Sequence, residues 1–217
     1  MAESLPTPRD TEAKLQHILL HSARIFAEDG FEGTSIRDIS RATGISLSGL
    51  YYYFDSKQRL LYLIQNNAFS FIVKRLQERL VSCETPVARL RTLVQNHVEY
   101  FLAHPNEMKV LSHEEGALDE PFRQEIAAIK RKYFALARKI FDEVVAESPA
   151  PRLNARVAVL SLFGMMNWVY QWHKATSDPG AEELTDTIVG IFLHGVAGTP
   201  GKSEASSEQI PAAVHSE

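Results

Sequence analysis

Cysteine is almost missing from this chain. Cys83 is the single one in 217 residues, which excludes an intramolecular disulfide framework, and a catalytic thiol would need an activating base nearby. Long hydrophobic runs are missing as well. No stretch approaches the roughly 20 apolar residues of a membrane span. The opening MAESLPTPRDTEAK has no apolar core of a signal peptide, and a cytoplasmic protein is expected. A basic excess, the usual mark of a non-specific nucleic-acid binder, is also lacking. The net charge is −4, and through residue 57 the basic Arg9, Lys14, Arg24, Arg37, Arg41 and Lys57 are outnumbered by Glu3, Asp10, Glu12, Glu28, Asp29, Glu32, Asp38 and Asp55. Any case for DNA binding must therefore rest on where charges sit.

Catalytic motifs are equally scarce. There is no H-E-x-x-H, no G-x-S-x-G elbow and no glycine-rich phosphate loop. His17 and His21 stand at i, i+4, but no third metal ligand is implied nearby, and a solvated helix face is the simpler reading. His113-Glu114-Glu115 could be an acid–base cluster but opens no recognised motif. An enzyme is not expected, nor a bound cofactor.

What the chain does have is hydrophobic periodicity: 45% of its residues are hydrophobic and 23% charged, an ordinary globular balance. Segment 11–29 places Leu15, Ile18, Leu19, Ser22, Ala23, Phe26 and Ala27 on one helical face and meets Gly30 at its end. Thr34 or Ser35 can cap a second helix that carries Ile36, Ile39 and Ala42 inward and stops at Gly44, and Ser46 can cap a third over 46–53. Helices follow at about 57–81, 86–103, 106–114, 119–146, 153–175 and 181–196, with Pro149 and Pro151 ending the longest. No alternating strand pattern interrupts them. The fold class is all-α, about nine helices. A small N-terminal domain (10–57) precedes a larger helical domain (58–197), and the small, polar, proline-containing 198–217 reads as a disordered tail.

Three short helices, the last two joined by the tight pair Gly44-Ile45, have the shape of a helix-turn-helix. The second helix of such a pair must enter a major groove about 12 Å wide, so its exposed N-terminal residues must be small or polar. Here they are Ser46, Leu47, Ser48 and Gly49: serine can bond a base edge or phosphate, leucine can pack on a thymine methyl, and glycine lets backbone approach. Tyr51, Tyr52 and Tyr53 follow, each able to offer a phosphate a hydroxyl and a sugar an apolar face.

The stretch from Phe26 through Gly30, Thr34, Gly44, Leu50 and Phe54 to Lys57, set within residues 15–65, resembles the signature of the tetracycline-repressor (TetR) family of DNA-binding regulators. The resemblance implies that Leu47, Ser48 and Gly49 face bases. It implies that Thr34, Tyr51, Tyr53 and Lys57 grip phosphates, with Thr34 and Lys57 at helix N-termini, and that Arg37 and Arg41 add backbone contacts. Position 52, often histidine in that family, is tyrosine here. Each residue also has an ordinary reading: Thr34 and Ser46 as caps, Tyr51 as half-buried packing, Lys57 as a solvated lysine, Arg37 and Arg41 as surface ion-pair partners.

The same resemblance implies a homodimer formed by the last two helices, with contacts from Val157, Leu160, Ser161, Gly164 and Met165 and from Leu184, Ile188, Ile191, Phe192 and Gly195. Two heads about 34–36 Å apart would then read a palindromic operator. Phe101, Met108, Leu111, Phe122, Ile126, Ile129, Tyr133, Met165, Met166, Trp168 and Trp172 are candidates to line an effector cavity among the middle helices, with core packing as the alternative for each. Asn167-Trp168 with Trp172, and Leu111-Ser-His-Glu-Glu-Gly-Ala-Leu118, resemble a subgroup that senses acyl or steroid-derived coenzyme A thioesters. The implied protein is a repressor released by such an effector, through movement of helix 57–81. A transcriptional activator on the same fold, or a helical adaptor without DNA binding, are the alternative readings.

Overall fold

The computed structural model describes residues 8–147 and 153–197. The proline break at 149–151 and the tail 198–217 lie outside the described residues. Among those described, the secondary structure is helical throughout: α1 Pro8–Asp29, α2 Ile36–Thr43, α3 Leu47–Tyr51, α4 Lys57–Leu80, α5 Pro86–Ala103, α6 Pro105–His113, α7 Phe122–Ala146, α8 Ala155–Trp172 and α9 Ala181–Ala197, with one 3-10 turn at Glu115–Ala117.

Local chemistry explains most boundaries. Gly30 and Gly44 end α1 and α2 at φ of 77° and 69°, a left-handed conformation that costs a residue with a Cβ. Ser35, rather than Thr34, caps α2. Its hydroxyl accepts from the Asp38 amide while the Asp38 carboxylate accepts from the Ser35 amide at 2.8 Å, a reciprocal capping box. Ser46, Ser56, Thr85 and Asn154 each accept a first-turn amide of α3, α4, α5 and α8. Three helices are shorter than their periodicity suggests. The third stops at Tyr51, where Tyr53 and Phe54 both donate to the Leu50 carbonyl. The seventh starts only after Pro121, which cannot donate an amide. The eighth stops at Trp172, because His173 turns extended.

Two apolar clusters form the interior. One buries Phe26, Phe31, Ile39, Leu50 and Phe54 of the N-terminal helices. It runs on through Leu60, Leu61 and Ile64 of α4, Val110 of α6, Leu118, and Ile126 of α7, so the first core does not end near residue 57. The other centres on α5, against which α4, α6, α7, α8 and α9 all pack, and it buries Leu93, Val94, Phe101, Ile140, Leu162 and Phe192.

Candidate functional site

The N-terminal three helices present α3 outward on a fixed base. Leu50 is wholly buried with Phe26, Phe31, Ile39 and Phe54, and fully burying such a side chain is worth about 1.5–3 kcal/mol. That anchor leaves Ser46, Leu47 and Ser48 exposed on the opposite side. The Ser46 hydroxyl accepts from the Gly49 amide and lies 3.2 Å from that of Ser48. A Cβ on Gly49 would stand 2.9 Å from the Ile45 Cγ2, so a larger residue there would have to push the Ile45 side chain aside, independently of any approach to DNA. Arg37, Arg41 and Leu47 line a shallow depression between α2 and α3 together with Ser35, Asp38 and Ser40. Arg37 is exposed, whereas Arg41 pairs with Asp38. Hydrogen bonds from Ser35 and then Arg41 hold the Asp38 carboxyl down at about 2. Tyr51 and Tyr52 are exposed, Tyr52 the more so at 74%, and Tyr53 is half-buried edge-on to Tyr52.

Two residues expected to hold phosphate are engaged within the protein. Thr34 is buried, 3% exposed, and its hydroxyl donates to the Gly30 carbonyl at 2.8 Å. Its amide turns back to the Phe31 carbonyl at 3.4 Å, so both Thr34 donors face acceptors within the protein. Lys57 donates to the carbonyls of Phe31 and Thr34 at 2.7 and 3.2 Å and sits over the Phe31 ring. It therefore staples α4 to the α1–α2 loop, with one of an ammonium's three protons outside those bonds and the exposed Glu32 carboxylate 3.8 Å away.

The second site is a cavity of about 480 Å³ enclosed by α4 to α8, and its lining includes Phe69, His97, Phe101, Leu111, Tyr133 and Phe163. Of the expected lining, Phe101, Leu111 and Tyr133 are there, with Met108 beside them. The others are elsewhere. Phe122 stacks on Tyr62 of α4, and Ile126 is buried in the N-terminal cluster, because the first turns of α7 pack on the start of α4 while its later turns reach the cavity. Ile129 bridges the two clusters. Trp168 and Trp172 are exposed, at 62% and 45%. Met165 lines a separate surface groove with Val157, Ser161 and Ile191. Met166 is buried in the α5-centred core. Phe69, Lys130, Leu160, Phe163 and Asn167 line the cavity without having been singled out for it. His97 could have been found, since it interrupts the otherwise apolar stripe of Leu90, Leu93, Val94, Val98 and Phe101.

A histidine–tyrosine pair lies deep in that wall. The His97 Nδ1 is 3.2 Å from the Tyr133 hydroxyl, and the two rings are nearly parallel. Burial drives the His97 pKa down to about 3, opposed by the neighbouring Asn167 side chain. Its Nε2 nevertheless completes no hydrogen bond of ordinary geometry. Burial likewise pushes the Tyr133 hydroxyl well above the usual phenol range.

Residues 83–196 match the family model described as the tetracyclin repressor-like C-terminal domain, and residues 18–62 match that of the bacterial regulatory proteins, tetR family. The chain belongs to the TetR family. The HTH-type transcriptional repressor KstR2 of Mycolicibacterium smegmatis is 22% identical over 92% of this chain and 98% of its own length. A TetR-family regulator from Bordetella parapertussis superposes with a TM-score of 0.76 at 30% identity, covering 82% of this chain and 93% of that one. AibR, solved in complex with isovaleryl coenzyme A and operator DNA, superposes at 0.72 with 27% identity over 82% of this chain and 97% of its own. A TetR-family chain is a DNA-binding transcriptional regulator rather than an enzyme, and no helix among the described residues is long and apolar enough to cross a membrane.

In this TetR chain, α4, α6 and α7 each touch both sites, and α6 does so within a single turn. Met108, Leu111 and Ser112 of α6 line the cavity, while Val110 is buried in the N-terminal cluster. At the C-terminal end of α6, the Glu114 carboxylate accepts from the Phe31 amide at 3.0 Å, and the Glu114 carbonyl accepts from Gln65 of α4. Gln58 in the first turn of α4 clasps the following turn, donating to the Ala117 carbonyl and accepting from the Asp119 amide. The expected dimer residues divide: Leu184, Ile188 and Phe192 are buried in this chain's own core, while Val157, Leu160 and Ile191 remain exposed along with Trp168 and Trp172.

Proposed function

We propose that this regulator represses transcription in the cytoplasm by binding a palindromic operator as a homodimer, and that an acyl-coenzyme-A-type thioester entering the cavity releases it. Leu47, Ser48 and Gly49 then meet base edges. Ser46, Arg37, Tyr51, Tyr52, Tyr53 and the remaining proton of Lys57 meet phosphates, which position without specifying. Tyr52 joins this set on its exposure, and Thr34 leaves it. The exposed stripe Val157, Leu160, Trp168 and Trp172 on α8, with Ile191 on α9, is the face that meets a second copy. Such a face is costly to leave in water.

The observation that carries the regulatory half is α6, with one side on the cavity and the other on the head. A ligand wedged against Met108 and Leu111 cannot shift α6 without disturbing Val110 and the Glu114–Phe31 bond. Release then follows if the ligand prefers the shifted arrangement. Movement of α4 enters through the same junction, by way of Gln58 and Gln65. The AibR complex, holding a coenzyme A thioester and operator DNA together, supports the ligand class.

The test is binding of the purified protein to DNA upstream of its own gene against shuffled DNA at one salt concentration, with the mass of the bound species recorded. Selective binding by a species of twice 24.4 kDa, or a multiple of that, is expected. Equal affinity for both DNAs, there and at other genomic candidates, contradicts it.

A further inference from the structure

The cavity is apolar through Phe69, Phe101, Leu111, Phe134 and Phe163, and its buried polar wall consists of His97 and Tyr133. The bond between them leaves a definite remainder. A neutral imidazole carries one N–H and a phenol one O–H. Whichever of the two forms the 3.2 Å contact, one donor is left over: the Nε2–H if Tyr133 donates, the Tyr133 O–H if His97 donates. The pair is buried, the Nε2 completes no hydrogen bond of ordinary geometry, and the Asn167 side chain is its polar neighbour. Asn167, exposed at the cavity edge, adds an amide.

We infer that the His97–Tyr133 pair is a hydrogen-bond donor site for an uncharged carbonyl oxygen, so that the cavity takes a neutral carbonyl compound in preference to the matching carboxylate. This rests on the reading of the cavity as the effector site and narrows it: thioester, ester or ketone, not free acid. A carbonyl satisfies the leftover donor and asks for nothing else. A carboxylate at the same place also accepts from that donor, but it brings a buried charge whose counter-ion in the lining would have to be Lys130. Protonating His97 to supply one is opposed by its burial. The cation in the lining, Lys130, stands one turn before Tyr133 with its ammonium 5.2 Å from the centre of the Phe69 ring.

The experiment displaces the neutral dye N-phenyl-1-naphthylamine from the full chain with decan-2-one and with decanoate at pH 7.5. The ketone is expected to compete at concentrations about tenfold or more below the acid, because only the acid must bury a charge. In His97→Phe/Tyr133→Phe both partners become apolar at nearly the same volume. Dye affinity should stay within about twofold while the ketone loses about fivefold or more. If the double variant does not fold, His97→Phe and Tyr133→Phe are made singly, since the leftover donor sits on one residue or the other. Decanoate competing as well as the ketone overturns the inference, as does undiminished ketone binding in the apolar variants, or decanoate binding that vanishes in Lys130→Met. Release of operator DNA by decanoyl-coenzyme A is scored separately. Ketone preference without release removes the thioester reading and keeps the donor site; release without ketone preference does the reverse.

Discussion

The head and the sensor are built from the same kind of helix, yet the head's helix ends are set by neighbours in sequence and the sensor's cavity by neighbours in space. Ser35, Ser46 and Ser56 each cap a helix through an amide three residues on, and Gly30 and Gly44 turn the chain where they stand. The cavity, by contrast, takes walls from five helices, and His97 meets Tyr133 across 36 residues. A head of this kind carries a short motif that travels intact. A sensor of this kind can change its ligand by changing a few distant side chains while the scaffold stays.

The comparison breaks most readily at Leu50. Leu50→Ala should cost about 2–5 kcal/mol and abolish operator binding, while naphthylamine dye binding in the cavity persists. A denaturant melt followed by both readouts checks this; loss of both together would mean that the two regions stand or fall as one unit through the shared cluster. Next in size is Lys57→Met, which keeps the stem over Phe31 but removes two hydrogen bonds to carbonyls, about 1–3 kcal/mol of stability. If the third proton also holds a phosphate, the slope of log affinity against log salt falls by about one unit. A stability loss with an unchanged slope would leave Lys57 as a staple only.

A smaller change sharpens the link between the halves. Glu114→Gln keeps an acceptor for the Phe31 amide but removes its charge, worth about 1 kcal/mol. It should lower operator affinity without thioester and leave dye affinity unchanged, as fluorescence anisotropy and dye titration can show. The smallest effect belongs to Asp38→Asn. The folded carboxyl lies at about 2, below its ordinary 3.8. Its contribution is therefore complete above pH 4 and is lost as pH falls through 2. The gap in melting temperature between wild type and variant should hold from pH 7 to 4 and close below that.

How much could be read from the residues alone follows the same division. Helix order and the exposed start of α3 were legible because caps, glycines and periodicity act within a few residues. Trp168 and Trp172 were misplaced for a physical reason. Helix α8 is apolar on two faces, Val159, Leu162, Met166 and Val169 on one and Val157, Leu160, Trp168 and Trp172 on the other, and only the first is buried in the chain. Periodicity identifies both stripes and cannot rank them. Thr34 and Ser35 were equivalent as caps until the hydroxyl of Thr34 was seen turned inward to Gly30. His97 needed its partner on α7 before it meant anything.

On the proposed mechanism, the cavity and the head share one equilibrium through α6. Linkage makes such coupling reciprocal, so the most direct measurement is a closed cycle. Operator affinity is taken with and without saturating decanoyl-coenzyme A, and thioester affinity with and without saturating operator. Each ligand is expected to weaken the other by the same factor, about tenfold or more. Tight binding of both with no mutual effect would contradict it.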